Sequence, residues 1–156
     1  MIIRRFEEKD AGSVSDMIAL TLRVTNSRDY TDEYIDRLIT HMRPGDMIKN
    51  AGERHFYVAE LGGAIIGCGA IGMLPDKADE SCFYTVFVHP GHQGEGVGRK
   101  IVETLESDVF FLKSVRAEVP ASITALPFYL KLGYRYKPGV TGPDEEGLIR
   151  LEKLRA

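Results

Sequence analysis

The sequence predicts an α/β fold in which helices and strands are mixed along one domain. Three observations carry this. Strand and helix patterns follow one another in the order β-α-α-β-β-β-α-β-α-β-β. Two strand patterns flank Gly62-Gly63, a two-residue link that suits a primed hairpin turn. A β-branched run stops at Pro90, passes through a glycine-rich turn and enters an amphipathic helix at once. No repeat, low-complexity tract or linker interrupts the series. Residues 1–156 therefore read as a single domain, long enough for a full core.

Residues 1–6 form the first strand pattern. Asp10 is a candidate N-cap, and Val14, Met17, Ile18, Thr21 and Leu22 follow at helical spacing. Thr31 caps a second helix with Asp32 and Glu33 in its first turn. Ile35, Leu38, Ile39 and Met42 share one side, and Pro44-Gly45 is expected to end it. A short helical turn is expected near Met47–Ala51. The hairpin pairs His55–Leu61 with Ala64–Ile71. Cys82–Val88 is the strand before the glycine turn, and the helix after it should bury Val97, Ile101, Val102 and Leu105. Val115–Val119 is a fifth strand, expected to close at Pro120. Ser122 or Thr124 caps a short helix through Lys131, with Pro127 in its first turn and Gly133 as its stop. Tyr134–Lys137 and Leu148–Leu151 read as a closing pair of strands.

Composition narrows the function. The net charge of −3 and the scattered basic residues give no electrostatic footprint for nucleic acid. The longest low-charge run, Leu61–Leu74, holds five glycines and falls short of the ~20 apolar residues a membrane span needs, so no membrane role is expected. The N-terminus lacks the apolar stretch of a signal peptide. Two cysteines inside strand patterns, Cys68 and Cys82, suit reduced thiols in a cytoplasmic protein. His41, His55, His89 and His92 show no ligand spacing, and no metal site is expected.

The chemistry concentrates at Gln93-Gly94-Glu95-Gly96-Val97-Gly98-Arg99-Lys100. A turn that opens a helix presents bare backbone N–H groups, which favour phosphate. Glycines at 94, 96 and 98 permit close approach of a ligand. Arg99 and Lys100 oppose the macrodipole at this end, which makes sense beside a polyanion; solvated surface cations are the plainer reading. The loop is no P-loop, because Val97 stands where the lysine belongs. It is no dinucleotide fingerprint, because Arg99 takes the third glycine position.

The pattern Gln93-x-x-Gly96-x-Gly98 after Val88-His89-Pro90 resembles the acetyl-CoA-binding motif of the GNAT superfamily of N-acetyltransferases. A second segment, Ala125-Leu126-Pro127-Phe128-Tyr129-Leu130-Lys131-Leu132-Gly133-Tyr134, is similar to that family's A-x-x-F-Y-x-K-L-G-[FY] helix. The element order resembles the GNAT fold from end to end. The resemblance implies a mixed, mostly antiparallel sheet of six to seven strands flanked by about four helices. It implies acetyl transfer from acetyl-CoA to an amine by direct attack in a ternary complex, an acyltransferase activity, with a small-molecule amine or a peptide or protein amine as acceptor. A non-catalytic acyl-CoA-binding sensor on the same fold is the alternative. Family analogy allows a homodimer, although no residue shows one.

The resemblance also assigns residues. The backbone of 93–98 would cradle the pyrophosphate, with Arg99 and Lys100 adding charge. Val86, Phe87 and Val88 would pair with the pantetheine arm, and one of their amides would donate to the thioester oxygen. Tyr129 would be the general acid on the leaving thiolate; read alone, it is a core aromatic. Ser122 stands where the family often has an asparagine near the cofactor, and an N-cap role fits it equally. A lysine-type amine costs about 4–5 kcal/mol to deprotonate at neutral pH, so a base should help. The family's base positions carry Cys82 and Tyr84, neither suited to the task. Glu80, through water, and Glu118 are the candidates, each with a solvated-surface reading beside the catalytic one. Asn26, Tyr30 and Tyr84 are candidate acceptor contacts, and the acidic loop 142–147 could attract a cationic amine.

Overall fold

The computed structural model describes residues 1–155. The chain begins with β1 (Ile2–Arg5), then α1 (Ala11–Val24), α2 (Asp32–Thr40) and α3 (Pro44–Glu53). A meander follows: β2 (His55–Leu61), β3 (Ala64–Met73) and β4 (Glu80–Val88). Next come α4 (Val97–Glu106), α5 (Val109–Leu112), β5 (Arg116–Ser122), α6 (Leu126–Lys131), β6 (Arg135–Tyr136) and β7 (Leu148–Leu154). The strands form one sheet in the order β1-β2-β3-β4-β5-β7-β6. Only β4 and β5 run parallel. The mixed, mostly antiparallel sheet matches the expectation, at its upper limit of seven strands.

Apolar periodicity explains both layers. Val14, Met17, Ile18 and Leu22 of α1 pack with Ile35, Met47, Phe56 and Cys68 on one face of the sheet. Val97, Ile101, Val102 and Leu105 of α4 pack with Phe83, Val119, Tyr129 and Leu151 on the other. These are the helix faces that the 3.6-residue spacing picks out. Gly67 and Gly69 of β3 let α4 sit close. A Cβ at either would come within 2.7 Å of Ile101. Gly62 and Gly63 both take positive φ, as a primed hairpin turn requires.

Several boundaries differ from the sequence reading. Pro44 does not end α2; α2 stops at Thr40 and Pro44 opens the ten-residue α3. Proline is favoured at the first helical position, where its missing N–H costs nothing, and Asp46 accepts from Arg43 N at 2.9 Å. Asp10 stands before α1 but makes no cap bond to it; its carboxylate holds Arg4 at 2.8 Å and Glu7 N at 2.8 Å instead. Thr31 does cap α2, accepting from Tyr34 N. Six α-helices occur among the described residues, against about four expected. One of the unforeseen turns, α5, is capped by Asp108, which accepts from Phe110 N at 2.8 Å. β5 runs through Pro120 rather than ending there. Val115 O accepts from Arg155 N, so by alternation residue 120 turns its missing N–H away from β7 and toward β4. The paired part of β4 has already ended there.

Candidate active site

The site arises where β4 and β5 part. Their parallel pairing covers only Glu80↔Arg116, Ser81↔Ala117 and Cys82↔Glu118. Just beyond, β4 gains an extra residue against β3: Cys68 pairs with Phe87, yet Ala70 pairs with Tyr84. Thr85 sits in this bulge at φ +55°, a strained value for a β-branched residue. The bulge bends β4 away from β5 and opens a cleft of about 710 Å³. His89 N donates to Ile66 O, so alternation turns the amides of Phe87 and His89 toward β3. Those of Val86 and Val88 turn toward the gap. Of the three expected donors, Phe87 therefore faces the wrong strand. Val88 O, on the gap side, accepts from Thr21 Oγ1 at 3.3 Å and Gln93 Nε2 at 3.2 Å.

The glycine turn forms one rim. Gly94 and Gly96 take φ of +79° and +84°, with open space where a side chain would be. Lys100 N makes the first helical bond to Gly96 O, which leaves the N–H groups of Val97, Gly98 and Arg99 outside the ladder at the cleft. Gly98 also has a packing role. A Cβ there would meet the Phe128 ring at 3.1 Å, so its smallness seats α6 against α4. Gln93, Gly94, Gly96, Val97, Gly98 and Arg99 line the cleft; Glu95 and Lys100 do not. Glu95 accepts from His92 Nδ1 at 3.0 Å, and Lys100 lies over a shallow hollow with Ile3 and Glu103. Adjacent helical positions diverge by about 100°, so Arg99 and Lys100 cannot share the rim.

Opposite stands α6. Pro127 lies in its first turn, as expected. Tyr129 is 4% exposed, lines the cleft and packs edge-on to Phe128 and Tyr134. The Tyr134 hydroxyl donates to Glu106 Oε2 at 2.8 Å. The Tyr129 hydroxyl has no such partner among the described residues. Burial, and secondarily Cys82, pushes its pKa well above the usual phenol range, so it stays protonated at neutral pH. Ser122 lines the cleft but does not cap α6: the N-cap position is Ala125, and Ser122 Oγ accepts from Ala125 N at 3.0 Å in the turn ahead of the helix.

The structure does not bring the two candidate bases to the cleft. Arg116 donates to Glu80 at 2.7 Å, Glu118 at 2.6 Å and Glu152 at 2.7 Å. Lys137 adds a contact to Glu118 at 3.0 Å. Burial opposes the Glu118 charge, but the bonds from Arg116 and Lys137 outweigh it and hold the carboxyl below its usual range. Such a carboxylate has its lone pairs engaged and little affinity for a proton. Burial pushes Cys82 up to about 11 and Tyr84 to about 12, so neither is a base at neutral pH.

Asn26, Tyr30 and Tyr84 all line the cleft. Sequence reasoning missed the strap that Tyr30 forms with Tyr34. Tyr30 donates to Gly147 O and accepts from Ile123 N; Tyr34, stacked on it at 4.4 Å, donates to Glu146 O. These bonds bridge the α1–α2 loop to the ends of β5 and β7. The Asp144 carboxylate of the acidic loop is spent locally. Asp144 accepts from Glu146 N, Leu148 N and Arg150 Nε.

Known proteins with this arrangement share a family. The profile of the acetyltransferase (GNAT) domain matches residues 52–136, which include the glycine turn and Tyr129. The PaiA N-acetyltransferase of Thermoplasma acidophilum, solved with coenzyme A, superposes with a TM-score of 0.84 at 15% identity. That match covers 99% of this chain and 98% of the other. An aminoglycoside 6'-N-acetyltransferase complexed with coenzyme A gives 0.65 at 19% identity, over 99% and 97% of the two chains. A GNAT-related protein of Rhodopseudomonas palustris gives 0.79 at 19%, over 99% and 95%. No curated protein matches by sequence.

Proposed function

The chain belongs to the GNAT acetyltransferase family, and on that premise we propose that residues 1–156 act as one catalytic domain moving acetyl from acetyl-CoA to a primary amine. One observation carries the reading. The strand gap, the bare amides that open α4 and the unpartnered hydroxyl of Tyr129 all meet in one cleft. That cleft fits a long, flexible molecule with a diphosphate at one end and amide groups along its arm. Two rims of opposite character, electropositive N–H groups and exposed strand edge, match those two parts.

When bound, acetyl-CoA supplies the activated acyl group. The protein supplies the rest. The N–H groups of Val97, Gly98 and Arg99, with the Arg99 charge, hold the diphosphate. Val88 offers its N–H to the arm as an added strand edge would. The Val86 N–H is the donor for the thioester oxygen, prepositioned by the bulge at Thr85. Tyr129 would give its hydroxyl proton to the departing sulfur and regain one, through water, from the nitrogen that has formed the new C–N bond. The amine sheds its proton to water, because no carboxylate among the expected bases reaches it.

That last feature also favours a second reading, a domain that binds acetyl-CoA without turnover. Release of free thiol separates the two. Acceptor-dependent release with acetyl-CoA supports the enzyme; a raised melting temperature with acetyl-CoA, none with ATP or NAD, and no release with any amine supports the sensor.

A further inference from the structure

The acceptor class follows from what the cleft leaves free, given the acetyltransferase reading. Helices α4 and α6 fill one face of the sheet. An amine therefore reaches the gap from the α1–α2 face, past Leu22, Tyr34, Leu38, Met42 and Tyr84. This wall is aliphatic and aromatic. It binds apolar substance and penalises charge.

The polar groups of the α1–α2 segment are almost all spent. Ser27 Oγ donates to Arg23 O at 2.6 Å, Asp29 accepts from Thr124 at 2.7 Å, and the Tyr30 hydroxyl makes two bonds. Asn26 is the exception. It is 8% exposed and lines the cleft. Its side-chain amide has no hydrogen-bond partner among the described residues. Neither end of that amide is sealed off, so a ligand in the cleft can take the place of water as its hydrogen-bond partner.

Positive charge finds no such welcome. Among the described residues Glu146 is the only carboxylate residue lining the cleft, and it pairs with Arg150 at 3.1 Å. The Tyr84 ring is covered by the Arg54 guanidinium at 3.7 Å, and Arg37 lies over Tyr34 at 5.6 Å. A second ammonium group would meet no carboxylate free of a cation, and these two rings already carry one each.

We propose that the acceptor is a monoamine with an aromatic or aliphatic body and a neutral hydrogen-bonding group beside the amine, which Asn26 reads. Amines carrying several charges are rejected by the same wall.

The test is thiol release from acetyl-CoA with four acceptors: phenylalaninamide, 2-phenylethylamine, spermidine and kanamycin. With kcat/KM counted per neutral amine, phenylalaninamide should exceed 2-phenylethylamine about 10-fold, the value of one good hydrogen bond. It should exceed spermidine and kanamycin by at least ~100-fold. Asn26→Ala should erase the first ratio and leave the stabilisation by acetyl-CoA unchanged. Spermidine or kanamycin turning over as fast as phenylalaninamide overturns this inference while upholding the acetyltransferase reading. So does a first ratio that Asn26→Ala leaves intact. No release with any acceptor overturns both. The wild-type ratios need no variant, so misfolding of Asn26→Ala would not shield the idea.

Discussion

Tyr129 and Tyr134 are neighbouring rings, 5.7 Å apart, whose hydroxyls predict opposite phenotypes. Replacing Tyr129 by Phe keeps the edge-on contacts to Phe128 and Tyr134 and strands no protein group. Stability should hold within ~0.5 kcal/mol, a melting shift of about 1–2 °C for a chain of this size. Turnover should fall ~10²-fold or more, about 2.7 kcal/mol of barrier at 1.36 kcal/mol per decade. Tyr134→Phe does the reverse. It removes the 2.8 Å bond to Glu106, whose Oε2 retains Lys153 at 2.8 Å. A bond to a charged group is worth about 1.5 kcal/mol, so melting should drop about 3–6 °C. Turnover should stay within ~3-fold, since that hydroxyl points away from the cleft. Steady-state thiol release at saturating acetyl-CoA, beside thermal melts of both variants, reads the two effects. Tyr129→Phe turning over within ~3-fold of wild type, or melting as low as Tyr134→Phe, would refute the assignment.

Glu80→Gln and Glu118→Gln should each lower the melting temperature by loosening the grip on Arg116, yet leave the acidic limb of kcat/KM against pH where it was; a shifted acidic limb would restore a base. Because burial raises the Tyr129 phenol, no fall in kcat from its ionisation should appear below about pH 10. Gly98→Ala pushes a Cβ to 3.1 Å from the Phe128 ring, so α6 must shift; expect about 1 kcal/mol of lost stability and a several-fold higher KM for acetyl-CoA. Asp10 is held below the usual carboxylate range by its hydrogen bonds from Arg4. Its stabilisation is present above about pH 4, the unfolded value, and is lost as pH falls through the lower folded one. Melting curves of Asp10→Asn should therefore be flatter than wild type between about pH 5 and pH 2; equal slopes would count against the pairing.

Local signals were legible where one helix face or one turn decided the matter. Val97, Ile101, Val102 and Leu105 repeat at helical spacing, and all are buried. Gly62-Gly63 admits few turns besides the one formed. Pro44 was ambiguous because proline both stops and starts helices, and Asp46 two residues on was the overlooked signal for a start. Pro120 and Thr85 could not be read locally. A proline fits a central strand only where its neighbour has parted, and the bulge at Thr85 puts a β-branched residue at φ +55°. Both are imposed by the sheet rather than by nearby residues. The candidate bases failed for a similar reason. Strand parity places Glu80 and Glu118 on one face, but Arg116 gathers them with Glu152, a partner 36 positions away. Asn26 was visible only as one polar residue among several. Which of them stays free depends on Thr124, Gly147 and Ile123, all far along the chain.

Amide NMR during titration with coenzyme A tests the central claim most directly. The account predicts that the largest shifts fall at Gly94 and Gly96 through Arg99, with Val86 and Val88 following on the strand edge. Saturable binding that leaves the amides of Val97, Gly98 and Arg99 unmoved would contradict it.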